Sequence, residues 1–417
     1  MNVDYYSQFY KLLPRRYAPL WLKYKSPKQS FINTIESAYI PVGLAYKMLE
    51  NFDGERIPQL TSESFGFEFA GKDDKLGARE GTHIGISGMT GSGKTTLEEK
   101  IMLHGMRRRN DKLGVVISTK EDMDMEWETF RLKCKEIHVN CEYLTFDEDD
   151  IRIHMQYLPH YGMRTIKNLG LMNKSNEREF MMIFAKSGQR DLIKTFQILE
   201  DMRYASQMDG RKVQRWIEML LMQIETSPFL TYNKHDAFAF KPNTLYLLDF
   251  SKIPDVASRD MCIGSICRMI REAVAGKPNY QAFVCIDEYF STVMDVPSGA
   301  DTGIMDDAYR EIRNMAVGGR QQGISLILAY QTRYNVRKII GPLTQVDYFF
   351  QLKPSNMESD GEFFVKNIVG HKINIIDLED FFHNLQNVVG ACIFYNRKLG
   401  SKPPIFGQVE PSLDISA

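Results

Sequence analysis

The sequence predicts an α/β fold, with a mainly parallel sheet covered by helices on both faces. Short, unbroken apolar runs recur at 82–87, 113–118, 244–250, 282–286, 324–329 and 346–352. Unbroken runs, as opposed to alternating ones, mark strands buried on both faces. Between them lie segments with apolar residues three and four apart, notably 96–108, 256–275 and 301–322. Strands alternating with helices imply parallel neighbours joined by crossovers. The 417 residues, 43% hydrophobic and 25% charged, suit one large globular domain with insertions or two to three units.

Residues 1–80 differ from the rest of the chain and form an N-terminal extension. The first thirty interleave aromatics (Tyr5, Tyr6, Phe9, Tyr10, Tyr17, Trp21, Tyr24) with bases (Lys11, Arg15, Arg16, Lys23, Lys25, Lys28). Two readings stand. Aromatics between cations suit single-stranded nucleic acid; a docking arm packed on a neighbouring surface is the commoner use of such a terminus. Residues 31–50 read as an amphipathic helix interrupted at Pro41, and the Gly- and Asp-rich 51–80 as short strands or a loop. Met1 to Tyr6 lack the basic-then-apolar order of a signal peptide. No apolar stretch reaches about 18 residues, so no membrane span is expected and the chain reads as cytoplasmic.

The core opens at about residue 81. Strand 82–87 leads into a glycine-rich loop and helix 96–108, and strand 113–118 ends in Thr119-Lys120-Glu121-Asp122. Residues 142–157 read as two short strands around the acidic turn Asp147-Glu148-Asp149-Asp150. From 160 to 240 the spacing is helical, notably at 191–208 and 211–226, which divides the core into 81–159 and 241–417 around a helical insertion. The second part carries strand 244–250, helix 256–275, strand 282–286, helix 301–322 and strands 324–329 and 346–352.

Gly88-Met89-Thr90-Gly91-Ser92-Gly93-Lys94-Thr95 fits a phosphate-binding loop, and it sits between strand and helix as that motif requires. Its glycines let backbone N–H groups converge on phosphates. Lys94 adds charge at the β/γ phosphates, the Thr95 hydroxyl can ligate Mg²⁺, and Thr96 completes the nucleotide-binding stretch. The strand at 282–286 ends in Asp287-Glu288, at the carboxyl edge where ligands of such sheets gather. Asp287 is placed to serve the Mg²⁺ shell, and Glu288 to act as base toward the attacking water. Gln331 ends the next strand, either as a reporter of the γ-phosphate or as an ordinary polar terminus. Arg320, flanked by glycines, is free to cap a helix, meet solvent or reach a neighbouring subunit's nucleotide.

Other residues carry less. Arg107-Arg108-Arg109 ends the loop's helix, where cations meet the helix dipole as readily as DNA. His83 reads as a packed core residue, and Arg333, Arg337 and Lys338 as a solvated loop, with a pore-facing role the second choice. Six scattered cysteines without CxxC spacing read as reduced thiols. A net charge of −1 provides no global basic field, so any contact with DNA must come from local patches or a ring of subunits.

Asp287-Glu288 together with Gly319-Arg320-Gln321-Gln322-Gly323-Ile324-Ser325-Leu326-Ile327-Leu328-Ala329-Tyr330-Gln331-Thr332-Arg333 resembles the HerA/FtsK superfamily of ring-forming ATPases, over roughly 82–120 and 244–370. The arginine precedes the glutamine by eleven residues, as in those families. The resemblance implies a RecA-like core, ATP with Mg²⁺, and a homo-oligomeric, hexameric ring that translocates double-stranded DNA in genome packaging, conjugation or DNA processing. It also implies that Arg320 is a finger acting on the neighbouring subunit and Gln331 a sensor. A membrane complex or a viral capsid is the implied docking partner, with peripheral attachment there. The alternative on the same core is a protein-handling ATPase of a secretion or pilus system.

Overall fold

The computed structural model describes residues 39–50, 56–68, 81–107, 112–121, 124–146, 151–157, part of 215–231, 233–253, 256–277, 280–289, 307–331, 340–399 and 402–410. An eleven-stranded sheet organises them. Its strands are β1 (Tyr39–Glu50), β2 (Arg56–Glu68), β3 (Ile84–Ser87), β4 (Lys112–Ser118), β5 (Asn140–Thr145), β8 (Thr244–Asp249), β9 (Gln281–Ile286), β10 (Ile324–Tyr330), β11 (Tyr348–Leu352), β12 (Ala391–Asn396) and β13 (Ile405–Val409). They lie in the order β2-β1-β13-β12-β11-β3-β10-β9-β4-β8-β5. A separate parallel pair joins β6 (Ile153–His154) to β7 (Leu230–Thr231). From β11 to β5 every pairing is parallel. From β11 back through β12, β13, β1 and β2 each is antiparallel. The mainly parallel α/β core is therefore as expected, extended by an antiparallel wing.

The parallel strands are buried on both faces, and successive residues feed different cores. In β9, Ala282, Val284 and Ile286 join one cluster, while Phe283 and Cys285 join the other. Helices α1 (Lys94–Met106) and α2 (Asp124–Glu136) cover the second face through Leu97, Ile101, Trp127 and Phe130. Helices α3 (Val256–Val274), α4 (Asp307–Gly318) and α5 (Ile375–Asn384) cover the first through Ile263, Ile266, Ile312, Met315, Leu378 and Phe381. Each such side chain contributes about 1.5–3 kcal/mol by leaving water. Polar contacts lock α3 to α4. Asp260 accepts the Asp307 and Ala308 amides at 3.1 and 3.2 Å, capping α4, and Glu311 pairs with Arg268 and Arg271 at 3.2 and 2.6 Å.

Three expectations need correction. Over 39–50 the chain is a strand, not the amphipathic helix read for 31–50. Ile40, Val42, Leu44, Tyr46 and Met48 alternate, and the first three are buried. Ala45 and Leu49 fill the gaps and create a false helical spacing. Pro41, which cannot donate to a ladder, sits at a register shift beside Gly43. Next, β2 is a thirteen-residue strand and not short strands or a loop. Finally, the helix expected over 301–322 ends at Gly318, and Arg320–Gln322 form a separate 3₁₀ turn. The aromatic and basic run in the first thirty residues, the acidic turn at 147–150, the helix at 191–208, and Arg333, Arg337 and Lys338 lie outside the described residues, as does most of 211–226.

Candidate nucleotide site

Strand β3 delivers the phosphate loop to the carboxyl edge of the sheet. Gly91 and Gly93 hold φ of 76° and 98°, left-handed angles that side chains rarely adopt, and Gly93 caps α1. Three neighbours clasp the loop. Gly88 N donates to Tyr330 O at 3.3 Å, Met89 N to Lys353 O at 2.8 Å, and Gly390 N to Ser92 O at 3.1 Å. Lys94, 5% exposed, donates to the carbonyls of Gly88 at 2.8 Å and Met89 at 3.2 Å. Burial pushes its ammonium pKa down, opposed first by Glu288.

Because β10 lies between β3 and β9, Gln331 stands between the loop and the acidic pair. Its amide donates to Thr90 Oγ1 at 2.9 Å and to Glu288 Oε1 at 3.0 Å. Glu288 has φ of 51°, uncommon for a residue with a side chain; the turn begins directly after Asp287, whose amide still donates to Ile117 O at 2.9 Å. Gln331 thus joins the loop, through Thr90, to Glu288.

Lys120, which carries no motif of its own in the sequence, completes the site. From the end of β4, next to β9, its ammonium reaches Asp287 Oδ2 at 2.8 Å and Glu288 Oε1 at 3.7 Å. Burial works to lower its pKa, but Asp287, Glu98 and Glu288 together hold it above the usual value. Glu98, one turn into α1, is fully buried, and burial followed by Asp287 raises its carboxyl well above the usual range. The Cys285 thiol donates to it at 3.6 Å. Position alone was the available signal for Lys120, since it follows an apolar strand at the carboxyl edge just as Asp287 and Gln331 do. Lys120→Met should lower stability by about 1–3 kcal/mol, less than the loss for a fully buried partner because the side chain is a quarter exposed. Urea unfolding at pH 7 measures it, and an unchanged midpoint would mean that the buried acids find another counter-charge.

The residues fit a magnesium ion bound with nucleotide. Asp287 Oδ1 is buried without a hydrogen-bond partner among the described residues, and Thr95 lines the same small cavity as Asp287 and Glu98. Among the described residues no group of three or more His, Cys, Asp or Glu is arranged to hold a metal alone.

Arg320 lies elsewhere. It precedes β10 while Gln331 follows it, so the arginine sits at the opposite edge of the sheet from its own phosphate loop. It is also not free, since Nη1 pairs with Asp347 Oδ1 at 3.2 Å and Nη2 donates to Gln345 O. His83, on the same side, is a core residue as expected. Its Nε2 meets Ala316 O at 3.0 Å, and its Nδ1 accepts the Leu326 amide at 3.2 Å. Burial, then Arg320, pushes its pKa down to about 3, so the ring is neutral. The six cysteines are free thiols.

No protein-family model matches the chain, and no curated protein does. Solved structures do. VirB4 of Thermoanaerobacter pseudethanolicus superposes with a TM-score of 0.51 at 13% identity, over 89% of this chain and 96% of that one. That likeness is one of fold: this chain shares the mainly parallel α/β architecture of that VirB4. Fainter likenesses are to the bacterial conjugative coupling protein TrwB (TM-score 0.44, 14% identity, 79% of this chain and 86% of that one) and to the pCW3 conjugation coupling protein TcpA (0.38, 12%, 91% and 68%). In this fold the phosphate loop, the acidic pair and Gln331 share the carboxyl edge, and Arg320 occupies the other.

Proposed function

We propose that the chain is an ATP-hydrolysing motor that assembles into a ring, hexameric by resemblance, and moves double-stranded DNA. The observation that carries the enzymatic part is Gln331, whose amide bridges Thr90 of the phosphate loop and Glu288. A water molecule beside that bridge can be oriented by the glutamine and deprotonated by the glutamate. Water oxygen then bonds to the γ-phosphorus as the bond to the β–γ bridging oxygen breaks, and the water's proton passes to Glu288. Lys94 exchanges the carbonyls of Gly88 and Met89 for phosphate oxygens. Magnesium, when bound, supplies neutralising charge between the phosphates, with Thr95 and Asp287 as its protein partners. Lys120 holds the two acidic side chains in place.

Arg320 supports the ring, because it can meet a nucleotide only on another copy. DNA as cargo rests on the HerA/FtsK-like motif from Gly319 to Arg333. Among the described residues no helix is long and apolar enough to cross a membrane, and attachment to a membrane complex or portal would be peripheral. We assign 1–80 as an extension, of which β1 and β2 join the sheet, and 160–240 as an insertion into the core.

Lys94→Ala should abolish ATP binding, because the loop loses its only side-chain cation. Titration with a fluorescent ATP analogue checks this, and affinity near that of the native chain would sink the assignment of the loop.

A further inference from the structure

A second cluster of charge lies on the edge of the sheet opposite the phosphate loop. Arg320 comes before β10, Asp347 before β11, and Arg397 and Lys398 after the antiparallel β12, so topology brings all four together. Asp347, its side chain 5% exposed, is the hub. Its Oδ2 accepts the His83 amide at 3.0 Å. Its Oδ1 faces Arg320 Nη1 at 3.2 Å and Lys398 Nζ at 4.0 Å. Arg397 N donates to Asp347 O at 2.8 Å, and the Arg397 guanidinium donates to Thr344 O.

Two cations face the one carboxylate, with the Arg397 guanidinium alongside, and leave a net positive edge that stays accessible, the Arg320 and Lys398 side chains being 32% and 47% exposed. An isolated surface pair would not hold an arginine in one geometry. A buried carboxylate fixed on its other oxygen by a backbone amide does, and Gln345 O fixes a second guanidinium nitrogen. The remaining N–H groups of a five-donor fork then point in a set direction. Lys398, a compact charge beside it over the Tyr348 ring, suits a second oxygen of the same anion.

We propose that Asp347 is the positioning residue for Arg320, and that Lys398 is the second cation of one phosphate-receiving site, whose ligand is the terminal phosphates of ATP bound to the neighbouring copy. This rests on the ring reading proposed for the chain's function. Displacing a group by an ångström costs about 10²-fold in rate, so Asp347→Asn should slow hydrolysis by about that factor with ATP affinity unchanged. Lys398→Gln should do the same to a smaller extent.

The test is mixing with Lys94→Ala subunits, which lack a working loop but keep an intact edge, with exchange verified by labelled subunits. Recovery of ATPase in both mixtures is the expected result, and a merely structural defect would not recover. If the Arg320→Ala mixture recovers and these two do not, the cluster only braces its own subunit and the proposal is overturned. If none recovers, the ring reading falls and takes the proposal with it. A loss of duplex DNA binding by Lys398→Gln, with ATPase intact, would assign the lysine to DNA phosphates and also overturn it. Should Asp347→Asn misfold by thermal melting, the exposed Lys398 decides alone.

Discussion

Arg320→Ala is expected to bind ATP as the native chain does and to hydrolyse it about 10³–10⁵ times more slowly, the worth of an arginine finger. Binding survives because the arginine is remote from its own loop. The seven residues of β10 separate it from Gln331 by about 23 Å at ~3.3 Å per residue, beyond the reach of any side chain. An effect on hydrolysis must therefore arrive from another copy, or through the fold. Mixing Arg320→Ala with Lys94→Ala separates the two, since mixed rings pair an intact loop with an intact arginine at some interfaces. Phosphate release should partly recover once exchange is shown. Exchange without recovery would mean that Arg320 acts only through its contacts with Asp347 and Gln345.

Glu288→Gln should also bind ATP, and should turn it over about 10²–10⁴ times more slowly, the contribution of a general base. The substituted amide keeps an oxygen to accept from Gln331, so the geometry of the bridge survives while the ability to take a proton from water is lost. Single-turnover hydrolysis measures the step directly. A near-normal rate would move the base to another residue.

Much of this site could be read from sequence because its parts are local. The glycine pattern at 88–95 needs only its flanking strand and helix, and Asp287, Glu288 and Gln331 each end an apolar run that buries both faces. Lys120 and Asp347 could not be read the same way. Each acts on a partner distant in sequence, and only the strand order, with β4 beside β9 and β11 one strand from β10 across β3, brings the pairs together. Arg320 was legible by motif, but its latch on Asp347 was not. The wing was obscured for a different reason. In β1 the alternation of Ile40, Val42 and Leu44 is overwritten by Ala45 and Leu49, and β2 carries Thr61-Ser62-Glu63-Ser64, polar residues of an edge strand that imitate a loop. Tertiary pairing, with β13 on one side and β2 on the other, decided what local spacing left ambiguous.

Coupling of hydrolysis to movement along duplex DNA is tested most directly by steady-state phosphate release. The full chain is assayed with and without long double-stranded DNA, alongside the mass of the assembly in the same buffer. The expected result is a ring-sized assembly whose ATPase rises on adding long duplexes and rises less with short ones. A rate indifferent to duplex DNA of any length, from an assembly that still hydrolyses ATP, would contradict it and leave the protein-handling motor as the better reading.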